Sequence, residues 1–230
     1  MSVAGKLVLF AVYTFQNVQP SHPKHPVITP SLPVVVSGSS SAFGTIIDFG
    51  IDNKIPLGIV IDRNHRICRY PFDGGRRTLQ LSEFVDELNA KLPGYRAVLQ
   101  DEILNIYPSE LAGPTKNLLE LKIPEFHSGP DSHRGLGVNL WMFVRAVIAP
   151  SEGSAFVGGD STTRETVSGI QVNGQTVTAI LNRIVDKGSG GAWVLHSSEI
   201  KDLSPSTQQP YEVYGYSGEE MLLKQVSCLK

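Results

Sequence analysis

Cysteine is scarce in this chain, with Cys68 and Cys228 the only two in 230 residues. No disulfide framework can be built from them. One bridge in an oxidising compartment and two buried thiols both fit, so their number selects no compartment. An excess charge of one sign is also lacking, since 20 basic against 22 acidic side chains leave a formal charge of −2. A surface that neutralises phosphates needs a concentration of Lys and Arg that is absent here, which excludes a nucleic-acid partner. The short run Gly75-Arg76-Arg77 suits an ordinary loop. No apolar stretch reaches about 18 residues, so no membrane span is expected in this chain. Lys6 followed by Leu7 to Tyr13 has the charged start and apolar middle of an export signal, but no Ala-x-Ala cleavage site follows. A strand or an unstructured start is the simpler expectation.

Motifs that carry chemistry are equally thin. Ser39, Ser40 and Ser41 lie between Gly38 and Gly44, a spacing that does not make the Gly-x-Ser-x-Gly turn of an exposed nucleophile. Gly188-Ser189-Gly190-Gly191 follows a helical pattern instead of preceding one, so it reads as a helix end and turn and not as a phosphate cradle. His127, Asp131 and His133 fall within seven residues, and two imidazoles with a carboxylate are a plausible ligand set for zinc. A structural zinc site normally takes a fourth ligand, and His22 and His25 stand far off in a proline-rich segment. A polar loop with Asp131 or Ser132 capping the next helix is the preferred reading. No metal or cofactor is expected, and a hydrolase or metal-dependent enzyme built around His127, Asp131 and His133 is the alternative to a non-enzymatic protein.

What the chain does contain is organisation. Residues 1–40 form a proline- and serine-rich segment, with Pro20, Pro23, Pro26, Pro30 and Pro33 excluding helix and central strand. Val34 to Val36 make a short strand candidate at its end. From Ser41 the apolar residues Phe43, Ile46, Ile47, Gly50 and Ile51 trace one helical face that Pro56 stops, and Leu57 to Ile61 make a buried strand. Leu79 and Leu81 predict a strand, and Ser82 a cap for a helix through Phe84, Val85, Leu88 and Leu92. Tyr95–Leu99 and Ile103–Tyr107 predict a hairpin. Leu119, Leu121 and Ile123 alternate as a strand. Leu136 to Val147 space as a helix, the polar stretch 151–166 is a connection, and Val177 to Val185 make a second amphipathic helix before the strand Ala192–Leu195. One more strand is expected near Tyr211 to Tyr216.

The segment from Thr78 to Tyr95 is similar to that from Gln171 to Trp193, with Phe84 falling on Val177, Leu88 on Leu181 and Asn89 on Asn182. A duplication about ninety residues apart implies an α+β fold of two similar small units, each of two helices packed on short mixed β-sheets. The expected division is 41–110 for the first unit, 111–200 for the second and 201–230 for a tail.

Leu57-Gly58-Ile59-Val60, Thr78-Leu79-Gln80-Leu81, Leu88-Asn89, Pro93-Gly94-Tyr95 and Ile103-Leu104-Asn105-Ile106 together resemble the secretin and TonB short N-terminal (STN) domain. Phe43 to Tyr107 carries the likeness most fully and Leu119 to Leu195 less so. The resemblance implies a protein-interaction module of the bacterial periplasm or cell envelope that docks an envelope protein. No transporter barrel or secretin pore accompanies the motifs, so gating of such a pore is not implied. A cytoplasmic location is the alternative. Partner binding is expected at exposed sheet edges, with Leu57, Ile59, Val60 and Ile61 on one edge and Leu119, Glu120 and Leu121 on another.

Overall fold

The computed structural model describes residues 28–39, 41–62, 67, 75–149, 166–197, 200 and 208–217. Cys68, Cys228, His22, His25 and the connection 151–165 lie outside the described residues. The first part of the chain runs β1 (Pro33–Val36), α1 (Ala42–Asn53), β2 (Leu57–Ile61), β3 (Arg77–Gln80), α2 (Leu81–Lys91), β4 (Tyr95–Gln100) and β5 (Ile103–Pro108). Then come α3 (Gly113–Glu120), β6 (Lys122–Ser128), α4 (His133–Ile148), β7 (Ile170–Thr176), α5 (Val177–Val185), β8 (Gly191–His196) and β9 (Tyr211–Gly215). This is an α+β protein with five helices and mixed sheets among the described residues.

Local chemistry accounts for most boundaries. Ser41 has extended backbone angles and its Oγ accepts the Gly44 amide at 3.0 Å, which starts α1. Lys54 turns left-handed at φ 54° to end it, and Pro56 bars its continuation. Ser132, the second of the two expected caps, starts α4 by accepting the Gly135 amide at 3.0 Å. Helix α2 begins one residue before the expected cap Ser82: the Glu83 carboxylate reaches back to the Gln80 amide at 2.7 Å, so Gln80 occupies the capping place.

One sheet runs through the middle of the molecule in the order β4-β5-β2-β8-β9. Strand β2 lies parallel to both β5 and β8, while β4 and β9 pair antiparallel on the outside. The sheet therefore draws strands from both sides of the expected boundary at 110/111. Because side chains alternate across a strand, it feeds two cores. Leu57, Ile59, Leu104, Ile106, Ala192 and Val194 point to one face, packed with Phe43, Ile46 and Ile47 of α1 and Phe84 and Leu88 of α2. Val60, Trp193, Leu195 and Val213 point to the other, packed with Leu118 of α3, Leu136 and Leu140 of α4, and Ile180 and Leu181 of α5. Two-stranded antiparallel ribbons, β1 with β3 and β6 with β7, complete the fold.

The two strand-helix-strand stretches β3-α2-β4 and β7-α5-β8 have matching element order. Their register differs from that read in the sequence. Phe84 and Ile180 are each the fourth residue of their helix, and Leu88 and Ile184 each the eighth. The similarity of Leu88-Asn89 to Leu181-Asn182 draws the pairing three residues away. The two asparagines have different tasks: Asn89 bonds to the backbone of β4, and Asn182 accepts Trp193 Nε1 at 2.8 Å.

Candidate interaction edge

Strand β2 cannot act as an edge. Leu57, Ile59, Val60 and Ile61 were expected to border a sheet, but β5 and β8 flank β2 and all five of its residues are buried. Its unbroken apolar run is the mark of a strand covered on both faces. The second expected edge also moves. Pro114, in the first turn of α3, has the backbone angle a helix start needs, and Thr115, Leu118 and Leu119 then fall on one buried stripe. Leu119 is thus a buried helical residue, Glu120 is exposed in the last turn and Leu121 is half-buried beyond it; β6 starts only at Lys122.

The histidine loop is pulled apart by its surroundings. His133 is buried at the start of α4, with Nε2 3.1 Å from the Lys187 carbonyl. His127 is exposed on β6, its ring edge-on to Phe143 with centroids 5.8 Å apart. Asp131 Oδ1 accepts the Ser132 amide at 2.7 Å. The three do not converge, and among the described residues no group of three His, Cys, Asp or Glu side chains is placed to hold a metal ion. No helix of the described residues is long and apolar enough to cross a membrane.

Edges elsewhere carry specific blocks. On β1, Asn53 of α1 donates Nδ2 to the Val35 carbonyl at 2.7 Å and accepts the Val35 amide at 2.8 Å. On β4, Asn89 of α2 treats Ala97 the same way, at 3.1 and 2.8 Å. Each side-chain amide stands where a neighbouring strand's peptide would be. Strand β3 is short, its Gln80 amide is taken by Glu83, and its Arg77 is paired with Glu87 at 2.5 Å. Burial pushes the Glu87 carboxyl up, but hydrogen bonds from Arg77 and Lys91 outweigh this and hold it below its ordinary value. On β9, Gln209 Nε2 donates to the Tyr211 carbonyl at 2.8 Å, and Val213 is only 1% exposed.

Strands β6 and β7 differ from each other. The Val177 amide donates to the Leu121 carbonyl, and Asp131 and Val167 exchange both of their backbone bonds. Since inward-facing residues recur every second position, the odd-numbered residues of both strands face across the ribbon. Lys122, Pro124, Phe126 and Ser128 then turn their backbone groups outward on β6, and Ile170, Val172, Gly174 and Thr176 do so on β7. Pro124 has no amide hydrogen to offer and Lys122 brings charge, both of which obstruct strand addition. Strand β7, Ile-Gln-Val-Asn-Gly-Gln-Thr, has no proline and no charge. Among the described residues nothing meets the outward backbone groups of Ile170, Val172 and Gly174. Ile170 and Val172 anchor one face of the strand in the second core, and Gln171 and Asn173 stand exposed on the other.

Sequence inspection overlooked Asn53, Asn89 and Pro124 as edge blocks. The available signal was a polar amide near the end of an otherwise amphipathic helix. What β7 offers among the described residues is a set of outward peptide groups without a hydrogen-bond partner, largely covered at Ile170 and Val172, each 5% exposed, and exposed at Gly174, where the backbone turns left-handed at φ 63°. Comparison of the chain with protein-family models, with curated proteins and with solved structures finds no match.

Proposed function

We propose that this protein is a non-enzymatic interaction module that takes up an extended strand of another chain along the outer edge of β7. The observation that carries this reading is the contrast among edges. A side-chain amide covers β1 and another covers β4, and proline and lysine obstruct β6, whereas β7 has an uncharged, proline-free row. An edge without proline, charge or a capping side chain pairs with another strand once its backbone is uncovered, and here that means displacing what covers Ile170 and Val172, each 5% exposed. The resemblance of Leu57–Val60, Leu88-Asn89 and Ile103–Ile106 to the short N-terminal domain of secretins and TonB-linked transporters supports a bacterial envelope setting for this module, with an envelope protein as the proposed partner.

Val172→Pro tests the reading because it deletes an outward amide without removing a bond to β6. Full-length protein carrying a photo-cross-linking side chain at Asn173 is exposed to envelope extract. Cross-linked partners are expected with Val172→Ala and lost with Val172→Pro, both variants keeping the wild-type circular dichroism. Cross-linking retained by folded Val172→Pro would overturn the proposal.

A further inference from the structure

We infer that Asn173 is a site of self-modification, at which the side-chain amide is lost to attack by the Gly174 backbone nitrogen and the residue becomes aspartate or isoaspartate. Asn173-Gly174 is the only Asn-Gly step in the 230 residues. Glycine puts no side chain beside the attacking nitrogen and lets the backbone turn. A regular extended strand holds a carboxamide away from the amide that follows it, but β7 breaks its regularity at this step. Gly174 is left-handed at φ 63°, an added Cβ there would meet nothing within 4 Å, and both it and Asn173 are exposed. The ribbon pairs Ile123 with Gln175 and Glu125 with Asn173, and Pro124 between them has no amide hydrogen with which to hold Gly174. Among the described residues the Gly174 amide stands without a hydrogen-bond partner, so hydroxide can take its proton. Other asparagines are placed differently. Asn53, Asn89, Asn117, Asn139 and Asn182 lie in helices and Asn105 in the central sheet, and a residue with a side chain follows each.

Water and hydroxide are the only co-reactants. The deprotonated Gly174 nitrogen bonds to Asn173 Cγ, the Cγ–Nδ2 bond breaks, and Nδ2 leaves as ammonia with a proton from water, which restores the hydroxide. A closed succinimide ring remains. Water then opens it on one side or the other. Breaking the new bond leaves aspartate, whereas breaking the original peptide bond leaves isoaspartate, with the chain running on through Cβ and Cγ. No atom changes oxidation state. Because both groups belong to neighbouring residues, the attack is intramolecular and proceeds whether or not a partner docks at β7. Either product places a carboxylate across from Glu125, and like charges directly opposite destabilise a strand pair. Isoaspartate also lengthens the backbone of β7 and so disturbs the alternation that keeps Ile170 and Val172 in the second core.

Incubation of full-length protein in heavy-oxygen water, at neutral and mildly alkaline pH, tests the inference. Circular dichroism establishes that the protein stays folded, and peptide mass spectrometry with electron-based fragmentation locates the label and separates aspartate from isoaspartate. Wild type is expected to take up label at residue 173 before any other described asparagine, faster as the pH is raised, with isoaspartate among the products. Gly174→Ala sets a methyl group beside the attacking nitrogen and should slow labelling several-fold, and Asn173→Gln, which would have to close a larger ring, should stay unlabelled over the same period. Labelling at residue 173 no faster than at the other described asparagines, aspartate without isoaspartate, or undiminished labelling in folded Gly174→Ala would each overturn the inference. Asn173→Asp should lower the urea midpoint, and Glu125→Gln added to it should recover most of the loss. An unchanged midpoint in Asn173→Asp would overturn the effect assigned to the new carboxylate.

Discussion

Asn89 and Ala97 are joined by two hydrogen bonds, the Asn89 carboxamide giving one to the Ala97 carbonyl at 3.1 Å and receiving one from the Ala97 amide at 2.8 Å. The helix thereby supplies the missing neighbour of an outer strand. Ala97 is nearly fully buried, so water does not replace the asparagine if it is removed.

Asn89→Leu keeps the volume and removes both bonds. Two backbone groups left unsatisfied cost about 1–3 kcal/mol each where buried, which urea denaturation would read as a lower midpoint at an unchanged slope. Light scattering should rise as well, because the β4 edge then loses the side chain that caps it. Asn89→Asp still accepts the Ala97 amide and should lose less. Equal stability of wild type and Asn89→Leu would mean that Asn89 does not close this edge.

Gly58 is the second position where backbone and side chain are closely coupled. A Cβ there would collide with Asn105 Oδ1 and stand 2.5 Å from Trp193 Cζ2 in the middle of the sheet. Gly58→Ala should cost at least the roughly 1–3 kcal/mol of an overpacked core. Removing the indole hydrogen bond acts separately: Trp193→Phe leaves Asn182 Oδ1 without its buried donor, a loss of about 1–3 kcal/mol. Thermal melts followed by far-UV circular dichroism check both.

Amphipathic helices were the most legible part of this chain. Phe43, Ile46 and Ile47 of α1, and Ile180, Leu181 and Ile184 of α5, lie on the buried faces that their spacing predicts. The hairpin of β4 and β5 also forms as read. Which strand lies beside which was not legible, since an apolar run such as Leu57–Ile61 records burial on two faces but says nothing about neighbours. Leu119 to Ile123 alternated like a strand, yet Pro114 and the Thr115/Leu118/Leu119 stripe favoured a helix over its first half. The candidate edge at β7 was missed for a related reason: its mark is an absence of charge and proline, which acquires meaning only once the other edges are seen to be blocked.

Buried positions on α5 make a direct test of the second core. Leu181 is fully buried, so Leu181→Ala should lose about 2–5 kcal/mol. A loss below about 0.5 kcal/mol in chemical denaturation would place it at the surface.

Proline substitutions separate centre from edge. Val60 lies opposite Leu195 in a strand paired on both sides, so Val60→Pro disrupts the sheet that serves both cores and should leave the protein unfolded. Val172→Pro removes an outward donor and part of a buried side chain at the margin of the second core, but no bond to β6, and should lose some stability while remaining folded. Circular dichroism of the two purified variants decides it; a folded Val60→Pro would contradict the central placement of β2.

Alkaline pH should unfold the protein through its buried phenols. Burial pushes Tyr107 up to about 12 and pushes Tyr211 and Tyr216 well above the ordinary tyrosine value. Tyr211 Oη donates to the Gly137 carbonyl at 3.2 Å and Tyr216 Oη to the Ile55 carbonyl at 2.7 Å, and both bonds need the protonated phenol. In the unfolded chain these groups lose their protons near pH 10. Above that pH the unfolded state holds fewer protons than the folded one, so stability falls as pH rises. It is unaffected by these groups below about pH 9 and declines from about pH 10 upward. Titration by ultraviolet difference absorbance should show Tyr107 ionising late, near pH 12, with Tyr211 and Tyr216 appearing only as the fold is lost. Tyr216→Phe should shift alkaline unfolding to higher pH while lowering stability at neutral pH through the unpaired Ile55 carbonyl. Tyrosine ionisation completed near pH 10 with circular dichroism intact would refute the burial of these rings.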